Sequence, residues 1–225
     1  LQLDNSAGIN AGGTTIMRGN GADDRLFVRA VAGSTTLEGD AGADRFYVSS
    51  NANKALFTDS GVYDDDTAPF DRLTGDLANL GGLLIDTGDG GNGGTRDAIY
   101  ISSDASSGPV TGVLDGNSVS GLGMTGDISF TTGAHGASVL IELSNYDDTF
   151  QVKGVAANVD AYIYGGAGDD TLHVGDDSNQ LTGIAGIVII FGQEGNDTLD
   201  VYGDASAVAG QLDAIGITGM GMGSN

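Results

Sequence analysis

The sequence predicts an all-β fold, a parallel β-solenoid of the β-helix or β-roll type built from tandem superunits. Short runs rich in β-branched and aromatic residues recur between turns of Gly, Asp and Asn, which is typical of strands. Aspartate-containing turns return at intervals of about 20 to 27 residues, roughly one coil of such a fold. No convincing helical period with capping residues is present. Turn and strand therefore recur together as one unit.

Six runs are predicted as strands because they are short, apolar and bounded by turn-forming residues. They cover 25–28, 45–48, 98–101, 139–143, 161–164 and 187–191. We also expect the Gly-Leu-Gly-Met segment at 121–124 and the Gly-Met-Gly-Met segment at 219–222 to form closely packed or bent strands.

Composition excludes several classes of protein. Gly accounts for 40 of 225 residues, with 2 Pro and no Cys, so the chain is neither collagen-like nor a disulfide scaffold. Asp makes up 28 of the 31 acidic residues, as expected for turns and hard-cation ligands rather than helices. A net charge of −23 argues against nucleic acid as a partner. Without an apolar run of about 18 residues, we expect no membrane insertion.

The most informative segment is Gly-Gly-Ala-Gly-Asp-Asp-Thr-Leu-His-Val at 165–174. Its glycines permit backbone conformations in which carbonyl groups turn inward, and Asp170 brings a carboxylate to the same point. Leu172 then points into a core as a strand begins. The segment resembles the calcium-binding nonapeptide of the RTX (repeats-in-toxin) family, matching every specified position of that repeat.

Further copies of the motif are degraded. Segments 39–48 and 192–201 keep most of it, 19–28 is a looser match, and 93–101 and 144–152 keep only the latter half. Back-to-back nonapeptides, which the RTX roll places in each coil, are absent. The spacing nevertheless predicts that Asp24 lies beside Asp44, Asp148 beside Asp170, and Asp170 beside Asp197.

The resemblance implies calcium as the cofactor, because calcium takes six to eight oxygen ligands from carboxylates and carbonyls. The implied ligands are Asp170 with the carbonyls of Gly165, Ala167 and Gly168, Asp197 with those of Gly192, Glu194 and Gly195, Asp44 with Gly39, and the single aspartates Asp24 and Asp148. Asp97 is a weaker candidate. The alternative is that these aspartates only cap turns through hydrogen bonds to the backbone.

A longer repeat lies above the short one. Segment 112–124 aligns without gaps on 210–222, an offset of 98 residues. We therefore divide the chain into a first superunit at 1–124 and a second at 125–225. The spacing of the turn aspartates predicts a loop insertion at about 51–71 in the first superunit, an acidic surface excursion between coils.

These features favour a structural or adhesive repeat protein, extracellular or at a bacterial cell surface, with no enzymatic activity. We expect it to be a segment of a longer tandem array with open ends, associating end to end in a filament or surface layer. A surface polysaccharide is a further candidate partner. Two alternatives remain at this point: a pair of immunoglobulin-like adhesin modules of about 100 residues each, or the RTX-like module of a secreted carbohydrate-active enzyme.

Overall fold

Alternating apolar residues and the turns between them produce an all-β structure. The computed structural model describes residues 14–53, 73–89 and 96–203, together with the backbone of three short strands at 2–4, 210–212 and 217–219. Within these ranges the chain forms strands, turns and loops. The described residues include no helix of the length and apolarity needed to cross a membrane.

Most strands belong to two large sheets. In spatial order, the seven-stranded sheet consists of β1 (Gln2–Asp4), β3 (Arg25–Ala30), β5 (Arg45–Val48), β7 (Asp97–Ser102), β11 (Ala137–Glu142), β13 (Val159–Tyr164) and β15 (Ile187–Phe191). The nine-stranded sheet consists of β16 (Thr198–Val201), β14 (Thr171–Val174), β12 (Thr149–Val152), β8 (Thr111–Asp115), β9 (Ser118–Gly121), β10 (Ile128–Thr131), β6 (Leu83–Asp86), β4 (Thr35–Glu38) and β2 (Thr15–Arg18). A separate hairpin joins β17 (Gly210–Leu212) to β18 (Ile217–Gly219).

Consecutive strands alternate between the two sheets, and most strands pair in parallel with the next strand but one along the chain. The alternation is interrupted once, where β8, β9 and β10 all lie in the nine-stranded sheet and β9 is antiparallel to both of its neighbours. The mostly parallel pairing does not fit immunoglobulin-like modules, whose sheets are antiparallel.

The inward-facing side chains stack across the seven-stranded sheet because each strand lies in register with the next. They form two columns: Leu26, Phe46, Ile99, Val139, Ala161 and Val188, and Val28, Val48, Ile101, Ile141, Ile163 and Ile190. Together with the inner face of the other sheet they make one apolar core. Each fully buried side chain of this size contributes about 1.5–3 kcal/mol.

A second, smaller cluster lies on the outer face of the seven-stranded sheet. The rings of Phe27, Tyr47 and Tyr100 are stacked with centroids 5.0 Å apart at each step. Leu73 and Ala52 cover them. Burial on both faces explains why β3, β5 and β7 are apolar almost continuously rather than in strict alternation.

Between β5 and β6, Leu77 packs in the main core and Leu80 forms an isolated parallel bridge with Val31. The predicted insertion at 51–71 lies in this part of the chain, and most of it is outside the described residues.

One strand prediction was wrong. The Gly-Leu-Gly-Met segment is a turn, because β9 ends at Gly121 and the next residues bend away. Positive φ angles at Leu122 (54°) and Gly123 (79°), directly after the last residue of β9, take the backbone out of the extended conformation. Met124 is partly buried against the core. The corresponding 219–222 segment lies mostly outside the described residues.

Candidate functional site: the aspartate turns

The turn aspartates lie in two rows. Asp24, Asp44 and Asp97, here the first aspartate row, stand where β3, β5 and β7 begin in the seven-stranded sheet. The second aspartate row is Asp148, Asp170 and Asp197, and these residues stand directly before β12, β14 and β16 in the nine-stranded sheet. Equivalent strands of the two predicted superunits therefore lie in opposite sheets.

Hydrogen bonds connect the members of the first aspartate row directly. The backbone N–H of Asp24 donates to Oδ1 of Asp44 at 2.8 Å, and the N–H of Asp44 donates to Oδ1 of Asp97 at 2.9 Å. The second of these bonds spans 53 positions of sequence, because a long segment that includes β6 separates the paired strands β5 and β7 along the chain. Each carboxylate thus holds the turn of the preceding coil.

The second aspartate row repeats this arrangement. The N–H of Asp148 donates to Oδ1 of Asp170 at 2.9 Å, and the N–H of Asp170 donates to Oδ1 of Asp197 at 3.1 Å. Asp148 in turn accepts from the N–H of Val110, the residue before β8, at 2.7 Å. The structure therefore brings together all three aspartate pairs expected from the spacing and adds Asp44 with Asp97.

The residues just before Asp24, Asp148 and Asp170 provide a second set of bonds in the opposite direction. Asp23 accepts from the N–H of Ala43 at 2.8 Å, and Asp147 accepts from the N–H of Asp169 at 2.9 Å. Asp169 accepts from the N–H of Asn196 at 2.9 Å. Sequence reasoning missed this outer set, although the recurrent Asp-Asp pair was a visible signal for it. Successive turns are bonded to each other in both directions.

Four of the six row aspartates have a glycine five residues earlier, where the carboxylate leaves no room for a side chain. A Cβ on Gly19 would lie 2.8 Å from Oδ2 of Asp24, and a Cβ on Gly39, Gly165 or Gly192 would lie closer still to the aspartate of its own turn. The carboxylate therefore fills the volume that a side chain would need. This reason differs from the inward-turning carbonyls that the sequence suggested.

The remaining turn residues also serve coil stacking. Gly168 and Gly195 have φ angles of 125° and 133°, and a Cβ on either would clash with the backbone of the adjacent turn. Ala167 forms an isolated bridge with Glu194, whose carbonyl accepts from the N–H of Gly168 at 3.0 Å. One carbonyl implied as a calcium ligand is thus engaged by a neighbouring turn.

Burial separates the aspartates into three groups. Asp44, Asp97 and Asp170 are at most 1% exposed, and Oδ2 of each has no hydrogen-bond partner among the described residues. Asp148 is equally buried, but both of its oxygens accept from the backbone N–H or hydroxyl of Ser144. Asp197 is exposed and Asp24 is half-buried. In the described residues, three carboxylate oxygens are therefore buried without a hydrogen bond to offset the loss of water.

This burial changes the acidity of the carboxyls. Desolvation, reinforced by neighbouring aspartates, raises the pKa of Asp44 to about 7, against a lowering by the N–H of Asp24. The pKa of Asp170 rises to about 6, again chiefly because of desolvation. Burial also raises the pKa of Asp97. Near neutral pH these turns are places where a proton or a cation relieves unfavourable charge.

Among the described residues, no group of three or more His, Asp or Glu side chains is placed to hold a metal ion. Asp44, Asp97 and Asp170 each supply one carboxylate oxygen free of hydrogen bonds, so any cation there would depend on backbone carbonyls for most of its ligands.

Neither of the two histidines is part of either row. His173 lies on β14 with Nδ1 3.3 Å from Oδ2 of Asp200, and its ring stacks on Tyr202 with centroids 6.1 Å apart.

In comparisons with known proteins, no family model, no curated protein and no solved structure matches the chain. The function is therefore argued from the geometry of the turns.

Proposed function

We propose that this chain is a structural or adhesive segment of a longer tandem array, extracellular at a bacterial surface, and that it follows the path of a β-solenoid. The observation that carries the proposal is the turn-to-turn bonding. Every row aspartate except Asp24 accepts an N–H of the preceding coil, so one coil is the template for the next. Such a unit extends along one axis, which suits an elongated scaffold.

The chain path supports the solenoid. Consecutive strands pass from one sheet to the other, and β3 with β5 or β12 with β14 pair in parallel one coil apart. A helical winding of this kind places equivalent residues about 4.8 Å apart along the axis. The stacked rings of Phe27, Tyr47 and Tyr100 follow that repeat.

Self-association along this axis is the proposed partner interaction, and a surface polysaccharide is a second one. Phe191 is 43% exposed and stacks with Tyr164 on the outer face of the seven-stranded sheet, with centroids 4.8 Å apart. Exposed aromatic faces of this kind are suited to stacking against sugar rings.

The surface location is tested with antibodies raised against the purified chain. Immunogold labelling of the intact producing bacterium should decorate its outer surface or filaments that project from it. Labelling confined to the interior of sectioned cells would overturn the proposal, because an extracellular scaffold has no such location.

Calcium at the aspartate turns is the second part of the proposal. The uncompensated Oδ2 atoms of Asp44, Asp97 and Asp170 support it, since a cation would relieve their burial without disturbing the Oδ1 bonds. Extracellular modules bind calcium at about 10⁻⁴ to 10⁻³ M. Binding to the native state alone stabilises it by about 2.7 kcal/mol at 100 times the dissociation constant.

Melting curves in calcium and in excess chelator test this part. Calcium should raise the melting temperature of the parent, and Asp170→Asn should lose much of that rise because it removes one negative charge at the most complete turn. Asp127→Asn is the matched control, because Asp127 is exposed and outside both rows. Equal calcium responses in all three proteins would mean that the aspartates only cap turns.

A further inference from the structure

The hairpin of β17 and β18 repeats an element found inside the nine-stranded sheet. In the hairpin of β8 and β9, Gly112 lies opposite Gly121 and Leu114 opposite Val119. In the later hairpin, the residues 98 positions further on are paired in the same way, with Gly210 opposite Gly219 and Leu212 opposite Ile217. The two hairpins share sequence and register.

The earlier hairpin has a second neighbour that the later one lacks. The outer edge of β8 pairs in parallel with β12, with Leu114 opposite Val152. In the described part of the chain β17 pairs only with β18. Its remaining edge corresponds to the edge that β8 uses to join the two superunits.

The chain also contains the strand that would receive β17. β3 begins directly after Asp24, as β12 begins directly after Asp148. Beside β3 lies β1, with Leu3 opposite Val28, the same place that Leu114 takes opposite Val152. β1 therefore occupies the β8 position at the first superunit.

Sequence identity supports the same assignment. Residues 2–4 read Gln-Leu-Asp, as do residues 211–213, and residues 113–115 read Val-Leu-Asp. Three segments of the chain are versions of one strand, and two of them, β1 and β17, are suited to the same place beside β3.

We propose that β17 of one copy of this chain replaces β1 beside β3 of the next copy, joining copies head to tail by strand exchange. The joint resembles the one that β8 and β12 form within the chain, so it continues the seven-stranded sheet from copy to copy. Because the two surfaces differ, the contact is heterologous and generates open filaments unless the rotation closes a ring. This inference rests on the proposed array and names its partner as a second copy.

The aspartate rows give the joint a further bond. At the internal joint, the N–H of Val110 donates to Asp148 at 2.7 Å. The residue 98 positions after Val110 is Val208, and the equivalent of Asp148 is Asp24. No described residue donates a hydrogen bond to the Asp24 carboxylate from the preceding level, so the incoming copy would supply its donor.

Cysteine cross-linking tests the register of the joint, since the natural chain has no Cys. At the internal joint Thr111 lies opposite Thr149, and the equivalent pair across copies is Ala209 with Arg25. Opposed residues on adjacent strands lie close enough for a disulfide, which needs Cα atoms about 4.4–6.8 Å apart. Ala209→Cys and Arg25→Cys are made in separate proteins with tags of different size, so that only a bond between copies links them.

Mixed and oxidised, the two variants should give a heterodimer in at least severalfold excess over either homodimer. The matched control mixes Ala209→Cys with Thr149→Cys, whose strand β12 already pairs with β8 and cannot accept β17. Equal heterodimer yields in the two mixtures, or none in either, would overturn the strand exchange.

A second measurement does not depend on the cysteines. Deleting residues 1–4 removes the competing strand β1, and sedimentation of the otherwise intact chain should show association strengthened severalfold. Unchanged or weaker association would contradict the proposal. End-to-end assembly without the cross-link between residues 25 and 209 would overturn the strand exchange but leave the proposed array intact. A cross-link in a protein confined to the cell interior would support the strand exchange and overturn the proposed extracellular array.

Discussion

At the residue scale, the turn motif is defined by the hydrogen bond that the aspartate accepts and by the space that its carboxylate occupies. The carboxylate accepts one main-chain N–H from the neighbouring coil and occupies the space above a glycine five residues earlier. In the four turns that have a glycine at that position, its missing side chain leaves the room that the carboxylate occupies.

Replacing that glycine should be costly. A Cβ on Gly165 would clash with Oδ2 of Asp170 and lie 2.5 Å from the carbonyl oxygen of Gly192, so Gly165→Ala should lower the free energy of unfolding by about 1–3 kcal/mol. Gly82→Ala is the control, because a Cβ there meets nothing within 4 Å, and it should change stability by less than about 0.5 kcal/mol. Urea denaturation of both variants measures the difference, and equal values would refute the spatial reason given for the motif.

The buried carboxyls predict an unusual pH dependence. The native pKa of Asp44 is about 7, above its ordinary value of 3.8, so between these limits the native state binds more protons than the unfolded state. Stability should then fall as the pH rises from about 4 to about 7 in calcium-free buffer. Asp170, with a pKa of about 6, contributes in the same direction.

Chemical denaturation at several pH values between 5 and 8 measures this slope. Asp44→Asn keeps an oxygen that can accept the N–H of Asp24 but removes the titration, so its profile should be flatter and its stability at pH 8 higher than the parent's. The exposed control Asp127→Asn should keep the parent slope. A parent protein that gains stability from pH 5 to pH 8 would contradict the prediction.

At the element scale, strands with strong local signals were predictable. The runs at 45–48 and 187–191 match β5 and β15 because each is apolar or aromatic and bounded by turn residues. β4 reads Thr-Thr-Leu-Glu, and only its pairing with β2 and β6 makes it a strand. Because pairing with neighbouring strands determines this element, its four residues of mixed polarity could not predict a strand by themselves.

The arrangement of the superunits could not be read from the sequence. Equivalent strands of the two predicted superunits lie in opposite sheets because the chain crosses between the sheets an odd number of times from β3 to β12. β8, β9 and β10 lie in one sheet and count as a single strand in this sequence of crossings. Repeat spacing records neither sheet membership nor the β10 to β6 pairing that places the hairpin within the sheet. The neighbouring aspartates were predictable because they depend only on coil length.

At the scale of the whole molecule, the two aspartate rows belong to a chain with a net charge of −23 and only 8 Lys and Arg residues. The described ion pairs between side chains, such as Lys153 with Asp177 and Arg18 with Glu38, offset little of this charge. Repulsion among like charges destabilises the folded state, where they are closer together than in the unfolded chain.

Ionic strength should therefore raise the stability of the molecule. Between about 0.01 M and about 1 M salt the Debye length falls from about 30 Å to about 3 Å, which screens repulsion between turns on different coils. We expect the melting temperature to increase over this range in sodium chloride and, as a control for specific sodium binding, by a similar amount in tetramethylammonium chloride. Calcium chloride at matched ionic strength should exceed both, because a divalent ion held at the buried Oδ2 atoms of Asp44 and Asp170 relieves desolvation that screening cannot reach. A melting temperature that stays constant or falls in sodium chloride would show that charge repulsion between the turns does not limit stability. A calcium response equal to the monovalent one would show that calcium acts only as a general counter-ion.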